Sequence, residues 1–413
     1  MKRKLFLLIT AGCLALTLTL LPGFNVEKKI EASPTDLVVH EWGTFTSIAG
    51  KNGVAIDWRP LSGASDLPKF VYTEADNDGF RETYKRGGKG EIARVRMETP
   101  VIYFYTPKEM EVNVKVDFPR GKVTEWYPQA SVVNSKFAPN QTGRFSSGIN
   151  WGTIKLLPNE QPDYLREVSN SHYYPARETD AVPVQVCNGD KTKIEKEKFL
   201  FYRGIGDFEL PLVFNLASPN SKKLDHISIA VRGQSEVKNL IIFENERGRV
   251  GFRHIEKVSG DVPVLYERPE TTGKLADVFA ELEKILVAEG LYAKEAKAMI
   301  ETWKDSWFEE GLRVFYILPT KATNEILPLT VSPQPKELVR VLVGRAELIT
   351  PEMMREVKSQ VELLKSSSAE VREAARKNLQ SRGRFYEPIL KNILEDEKDA
   401  KVREQIQKLI DLS

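Results

Sequence analysis

From Glu111 to Asp117 the chain reads Glu-Val-Asn-Val-Lys-Val-Asp, polar and apolar in strict alternation. Side chains along a strand point to opposite faces in turn, so this run fits a strand with one buried face and one wet face. Strands of that kind belong to antiparallel sheets. Segments of similar character recur at Leu37–Ile48, Val101–Tyr105, Glu111–Phe118, Trp151–Leu157, Phe199–Arg203, His226–Val231, Leu240–Glu244 and Val250–Val258. They are rich in Val, Ile, Phe, Tyr and Thr, and Gly, Pro, Asn and Asp separate them. No regular alternation of strand with helix is present, which excludes a doubly wound parallel sheet. The expected fold is α+β and β-rich, built on an antiparallel β-sandwich.

Helical periodicity takes over from Thr271 to Phe308. Leu275, Val278, Phe279, Leu282, Ile285 and Leu286 keep helical spacing, and Gly290 ends that helix. A second helix runs from Ala293 to Trp307, with Ala296, Met299, Ile300, Trp303 and Trp307 near one face. Strands resume at Leu312–Leu318, Ile326–Val331 and Leu338–Val343 and are expected to rejoin the first sheet, leaving an inserted helical hairpin at 271–310. From Pro351 the chain is helical to its end, with Thr350 as cap. Ser368-Ala-Glu-Val-Arg-Glu-Ala-Ala-Arg-Lys-Asn-Leu379, Tyr386-Glu-Pro-Ile-Leu-Lys-Asn-Ile-Leu394 and Asp399-Ala-Lys-Val-Arg403 resemble HEAT-type helical repeats, about one and a half of them. Such repeats stand alone only in longer arrays, so the resemblance implies that the pair leans on the preceding domain or on a partner. The organisation is a leader at 1–32, a β-rich domain at 37–350 and a helical tail at 351–413.

The leader points to export. Lys2, Arg3 and Lys4 precede an uncharged run from Leu5 to Leu21, and Pro22 and Gly23 follow. A cleaved signal is the first reading and an uncleaved membrane tether the second. A lipoprotein signal at Thr10-Ala11-Gly12-Cys13 is the third, because the apolar run continues past Cys13. The location is then periplasmic, cell-envelope or extracellular. Without the leader Cys187 stands alone, and it reads as a buried structural thiol rather than a nucleophile. Lys and Arg number 60 against 58 Asp and Glu, so nothing favours nucleic acid as a partner.

No HExxH, GxSxG, CxxC or phosphate loop is present, and no cofactor is implied. Arg86-Gly-Gly-Lys-Gly90 lacks phosphate-loop spacing and reads as a turn. Glu74-Ala-Asp-Asn-Asp-Gly79 spaces oxygens as a calcium loop does, which makes Asp76 and Asp78 weak metal candidates. Lys85 stands where the bidentate ligand belongs, and Glu82 is a partial substitute.

The chemistry-bearing pattern is carboxylates beside aromatic rings. Glycoside hydrolysis needs two carboxyl groups in unlike settings, and a ring stacks on the sugar. Glu41, Glu98, Glu125 and Glu310 are the catalytic candidates, with Asp305 and Glu309 nearby. His40, Trp42, Tyr105, Trp126, Tyr202, Arg203, Trp303, Trp307 and Arg313 are the ligand-binding candidates. Alternation puts His40 and Trp42 on one face and Glu41 on the other. A metal at His40 would need His172, Asp180 or His254 from elsewhere. The competing expectation is structural, with aromatics in the core and ion pairs such as Glu41 with Arg203 or Glu310 with Arg313. Val39-His-Glu-Trp-Gly-Thr-Phe-Thr46, Met97-Glu-Thr-Pro-Val-Ile-Tyr-Phe-Tyr105 and Thr302-Trp-Lys-Asp-Ser-Trp-Phe-Glu-Glu-Gly311 resemble segments of a group of predicted exported bacterial proteins of unassigned function. That resemblance spans 37–350; it implies one exported unit and lends no activity. The leading expectation is therefore a non-catalytic envelope or extracellular binding protein, with a protein partner on the helical tail or a carbohydrate ligand. The alternative is an extracellular carbohydrate-active hydrolase.

Overall fold

Val112, Val114 and Val116 are buried while Glu111, Asn113 and Lys115 are exposed, so the alternating segment is the half-buried strand its pattern calls for. The computed structural model describes residues 36–61, 66–74, 91–137, 145–168, 171–187, 193–218, 225–233, 236–381 and 384–412. The leader with Cys13, the calcium-like residues Asp76, Asp78, Glu82 and Lys85, and Arg86–Gly90 lie outside the described residues.

The largest sheet has nine strands. In spatial order they are β14 (Arg249–Ser259), β13 (Glu236–Glu246), β16 (Gly311–Ile317), β18 (Glu337–Leu348), β1 (Val38–Ala49), β3 (Val95–Tyr105), β10 (Leu200–Gly206), β5 (Gly121–Tyr127) and β2 (Tyr72–Thr73). A second sheet holds β17 (Leu329–Ser332), β4 (Met110–Phe118), β7 (Phe145–Leu156), β8 (Val184–Cys187) and β9 (Ile194–Glu197), with β6 (Val132–Phe137) also on β7. A third holds β11 (Leu212–Ala217), β12 (His226–Val231) and β15 (Val264–Glu267). The fold is β-rich and α+β, as expected. One pairing departs from an antiparallel design. β1 and β18 run parallel in register from Val38 opposite Glu337 to Ala49 opposite Leu348, which some 290 intervening residues allow.

Of the strands expected to rejoin the sheet after the helical hairpin, β16 and β18 lie in the large sheet, whereas β17 joins the second sheet on β4; β15, just before the hairpin, belongs to the third. The hairpin is α1 (Leu275–Ala288) and α2 (Ala293–Trp307), and α1 stops at Gly290, whose φ is +108°. Ile326 closes a short helix, α3 (Thr320–Ile326), rather than opening the expected strand. The tail is α4 (Pro351–Leu363), α5 (Ala369–Ser381), α6 (Glu387–Asp396) and α7 (Ala400–Leu412). The Thr350 side chain accepts from Met353 N at 3.2 Å and caps α4 as predicted. Cys187 is exposed at the end of β8, which corrects the buried-thiol expectation. The reason is its place as the outward residue of an alternating strand.

One apolar core joins Val39, Phe45, Met97, Ile102, Tyr202 and Leu342 of the large sheet to residues of the other two sheets. A second core lies on the opposite face, where Trp42, Val101, Tyr103, Phe201 and Phe315 pack under Leu282, Met299, Trp303 and Trp307 of the hairpin. The tail has its own core, from Val357 to Ile410, and is docked on the domain. Phe385 packs on Trp58 at 5.8 Å, and the buried carboxylate of Glu387 accepts from Arg59 N at 2.9 Å. Among the described residues no helix is long and apolar enough to cross a membrane.

Candidate functional site: a buried charged strip

The hairpin covers only part of its sheet face. Further along the same strands the residues facing that way are polar. β16 contributes Arg313, β18 contributes Arg345 and Glu347, β1 contributes Thr44 and Thr46, β3 contributes Arg96 and Glu98, β10 contributes Arg203 and β5 contributes Glu125. Thr46 stands opposite Arg345 on one side and Arg96 on the other, and Thr44 stands opposite Glu98. These side chains are buried, Arg313 and Arg345 completely, except Glu125, which is half-buried.

A bulge builds the strip. Between β1 and β3, Trp42 pairs with Val101 and Thr44 with Glu98, so β3 carries one extra residue. Glu98 and Val101 therefore share a face despite odd spacing. The bulge residue Thr99 has φ +46°, a conformation uncommon outside glycine. Gly43 is required opposite it, since a Cβ there would lie 2.9 Å from Pro100 Cα.

Arginine–carboxylate pairs run the length of the strip. Arg203 donates to Asp66 at 2.8 Å and Glu125 at 3.1 Å. Arg345 donates to Glu347 at 2.6 Å and Glu309 at 2.8 Å. Arg313 reaches Glu347 at 2.9 Å and donates to the carbonyls of Trp307, Glu309 and Glu310. Arg96 donates to Pro60 O at 2.8 Å, and its Nε lies 3.2 Å from Glu98 without hydrogen-bond alignment. Burial alone would lower Arg203, but Glu125 and Asp66 outweigh it and hold it above its ordinary range. Burial, then the charge of Arg203, lowers Arg96. Burial would raise Asp66, yet Arg203 and Arg96 hold it down at about 2.

Three elements wall the strip. The hairpin end supplies Trp307 and Glu309. The segment after β1 supplies Trp58, Pro60 and Asp66. The tail supplies Phe385, whose ring lies 4.8 Å from the Arg345 guanidinium.

Polar atoms within this strip lack hydrogen-bond partners among the described residues. They are Thr44 Oγ1, Thr46 Oγ1, Arg96 Nε, Arg203 Nε and Arg345 Nη1. At the border with the apolar half, Trp42 Nε1 and Trp307 Nε1 also lack acceptors. A buried polar group left without a partner costs about 1–3 kcal/mol. Those within the strip lie on four adjacent strands, β18, β1, β3 and β10.

Of the sequence candidates, Trp42, Glu98, Glu125, Arg203, Trp307 and Arg313 come together here. Glu41 lies on the opposite face, accepting from Tyr202 and from Arg340 at 2.6 Å each. The expected Glu41–Arg203 pair is thus replaced, because the two side chains face opposite ways. Arg313 takes Glu347 rather than the Glu310 carboxylate. Glu310 itself lines an open cleft of about 790 Å³ with Glu244, Glu270 and Glu352. Trp126 donates to Gln129 in the inter-sheet core. His40 Nδ1 lies 2.7 Å from the buried Glu295, with Tyr105 and Tyr292 ringed around it. Trp303 stacks on His172, which pairs with Asp305 at 3.2 Å. His254 pairs with Glu281 and Asp180 with Lys294, so the residues considered with His40 for a metal are spread apart. Among the described residues no three His, Cys, Asp or Glu side chains gather to hold a metal. Missed from the sequence were Thr44, Thr46, Arg96, Arg345 and Glu347.

No family model matches the chain, and no curated protein matches it. Among solved structures it is similar to the Fcho1 mu homology domain of Danio rerio with bound Eps15 peptide. The TM-score is 0.29 at 7% identity, over 77% of this chain and 97% of that one. It is also similar to the yeast delta-COP-I mu-homology domain complexed with a Dsl1 WxWxV peptide. There the TM-score is 0.27 at 8% identity, over 76% of this chain and 96% of that one. Likeness at this level carries no argument about fold or function.

Proposed function

We propose that this chain is an exported binding protein of the envelope or extracellular space, and that its ligand site is the charged strip rather than the tail. The observation that supports the reading is the set of unpartnered buried side-chain atoms on β18, β1, β3 and β10. Buried polar groups in folded proteins are nearly always hydrogen-bonded, so a cluster of orphans asks for a partner. The tail, by contrast, spends Phe385, Tyr386 and Glu387 on closing one end of the domain.

A hydrolase needs an acid in a setting unlike its partner's. Glu98 and Glu125 both act on Arg96, which brings two carboxylates to one guanidinium, but guanidinium rather than an apolar wall surrounds each. Two measurements test the proposal. N-terminal sequencing of the mature protein is expected to give a start near Phe24 or Ser33. A high-resolution crystal structure grown with an added ligand is expected to place that ligand against the orphan atoms, with the walls of the strip drawn apart. Ordered waters bonding every orphan atom inside a sealed void would defeat the binding reading. Product released from oligosaccharides, and lost in Glu98→Gln, would replace it with the hydrolase.

A further inference from the structure

The strip's own charge and donors select a class of ligand. We infer that it takes a neutral, hydroxyl-rich molecule, a saccharide or polyol, and discriminates against anions; this rests on the reading of the strip as a binding site. Four guanidinium groups, of Arg96, Arg203, Arg313 and Arg345, face five carboxylates, of Asp66, Glu98, Glu125, Glu309 and Glu347. The arginines are therefore already neutralised. An anion entering here would add negative charge to a buried region that has no surplus cation, and burying an uncompensated charge is costly.

Most of the strip's unmet atoms are donors. Arg96 Nε, Arg203 Nε, Arg345 Nη1, Trp42 Nε1 and Trp307 Nε1 are N–H donors without partners, and the hydroxyls of Thr44 and Thr46 can donate or accept. Ether and hydroxyl oxygens supply uncharged acceptors, and sugar hydroxyls can in turn donate to the carboxylates. Thr44 and Thr46 are successive same-face residues of β1, so they stand ~6.7 Å apart along the strand. That spacing suits opposite edges of one pyranose ring. Indole and phenyl groups at Trp42, Trp58, Trp307 and Phe385 border the strip and provide apolar surface for a ring face. A peptide backbone fits less well. β18, β1, β3 and β10 each have a paired strand on both sides, so no free edge is offered for strand addition.

The test is calorimetric titration of the full chain with matched probes. Neutral tetrasaccharides of glucose, mannose, galactose, xylose and N-acetylglucosamine are set against tetragalacturonate, sulfate and phosphate. The Thr44→Val/Thr46→Val double variant, which keeps side-chain shape, is titrated alongside, and its thermal unfolding is checked to show that it folds. The expected result is binding of at least one neutral tetrasaccharide, weakened tenfold or more in the variant. Preferential binding of an anion that the variant weakens would overturn the class and leave the site standing. Binding indifferent to the variant, or no binding by any probe, would overturn both.

Discussion

The hairpin face of the nine-stranded sheet is two surfaces in one. Over one half, Trp42, Val101, Tyr103, Phe201 and Phe315 meet an apolar helix pair, and the contact removes aromatic area from water. Over the other half, the same strands present Thr46, Arg96, Arg203 and Arg345, equally buried but only partly satisfied. Both halves are closed, yet the first is closed by complementarity and the second by walls around unmet hydrogen bonds. A protein selected for stability alone would have continued the apolar half across. If that half serves recognition, as proposed, removing one of its unpartnered hydroxyls should have the opposite sign from a cut in the apolar half, while breaking one of its ion pairs should not.

The largest effect is expected where the apolar half meets the strip. Trp307 is fully buried and packs on Phe315 at 5.2 Å. Trp307→Ala should cost about 3–5 kcal/mol of unfolding free energy, read from urea denaturation. A loss under ~1 kcal/mol would mean that the hairpin rests on the sheet without holding it.

The apolar half was legible in the sequence and the strip was not. Helical spacing gave both hairpin helices, and alternation put His40 and Trp42 opposite Glu41 correctly. The β-strand expectation missed Val95-Arg-Met-Glu98 and Gly344-Arg-Ala-Glu347. Those halves of β3 and β18 alternate apolar with charged residues, which reads as a solvated edge. Alternation reports that one face of a strand is polar; it does not report whether that face is wet. Here these two strands lie on either side of β1, whose Thr44 and Thr46 face the same way, and the long-range parallel pairing of β1 with β18 turns three polar faces into one interior. The bulge at Thr99 then shifts the pattern by one residue, so simple alternation fails at the centre of the site.

An intermediate effect tests whether the strip's charge is locked. Asp66 ionises at about 2 in the folded chain against a reference of 3.8. A depressed carboxyl contributes stability at pH above the reference value and loses it as pH falls from there through about 2. Asp66→Asn should therefore cost about 2 kcal/mol at neutral pH. It should also remove the part of the acid sensitivity that lies between roughly pH 4 and 2. Parallel stability curves for the two proteins across that window would show that Arg203 does not depend on Asp66.

The smallest effect is the most telling, because its sign is reversed. Thr46 sits between Arg345 and Arg96, fully buried, with its hydroxyl unpartnered. Val has nearly the same shape and nothing to satisfy. Without ligand, Thr46→Val should raise unfolding free energy by up to about 1 kcal/mol, since it deletes a desolvated polar group and leaves no cavity. With ligand the advantage should shrink, because the variant gives up a hydrogen bond that only the complex forms. This opposition of stability and affinity separates a binding strip from a structural network. A network hydroxyl would make its bond in the free protein, so its loss would destabilise by a similar amount in both states. Denaturation of both proteins, with and without the best-binding probe, reads the difference directly. If Thr46→Val is destabilising in the free chain, the two halves of the face obey the same rule and the distinction between them falls.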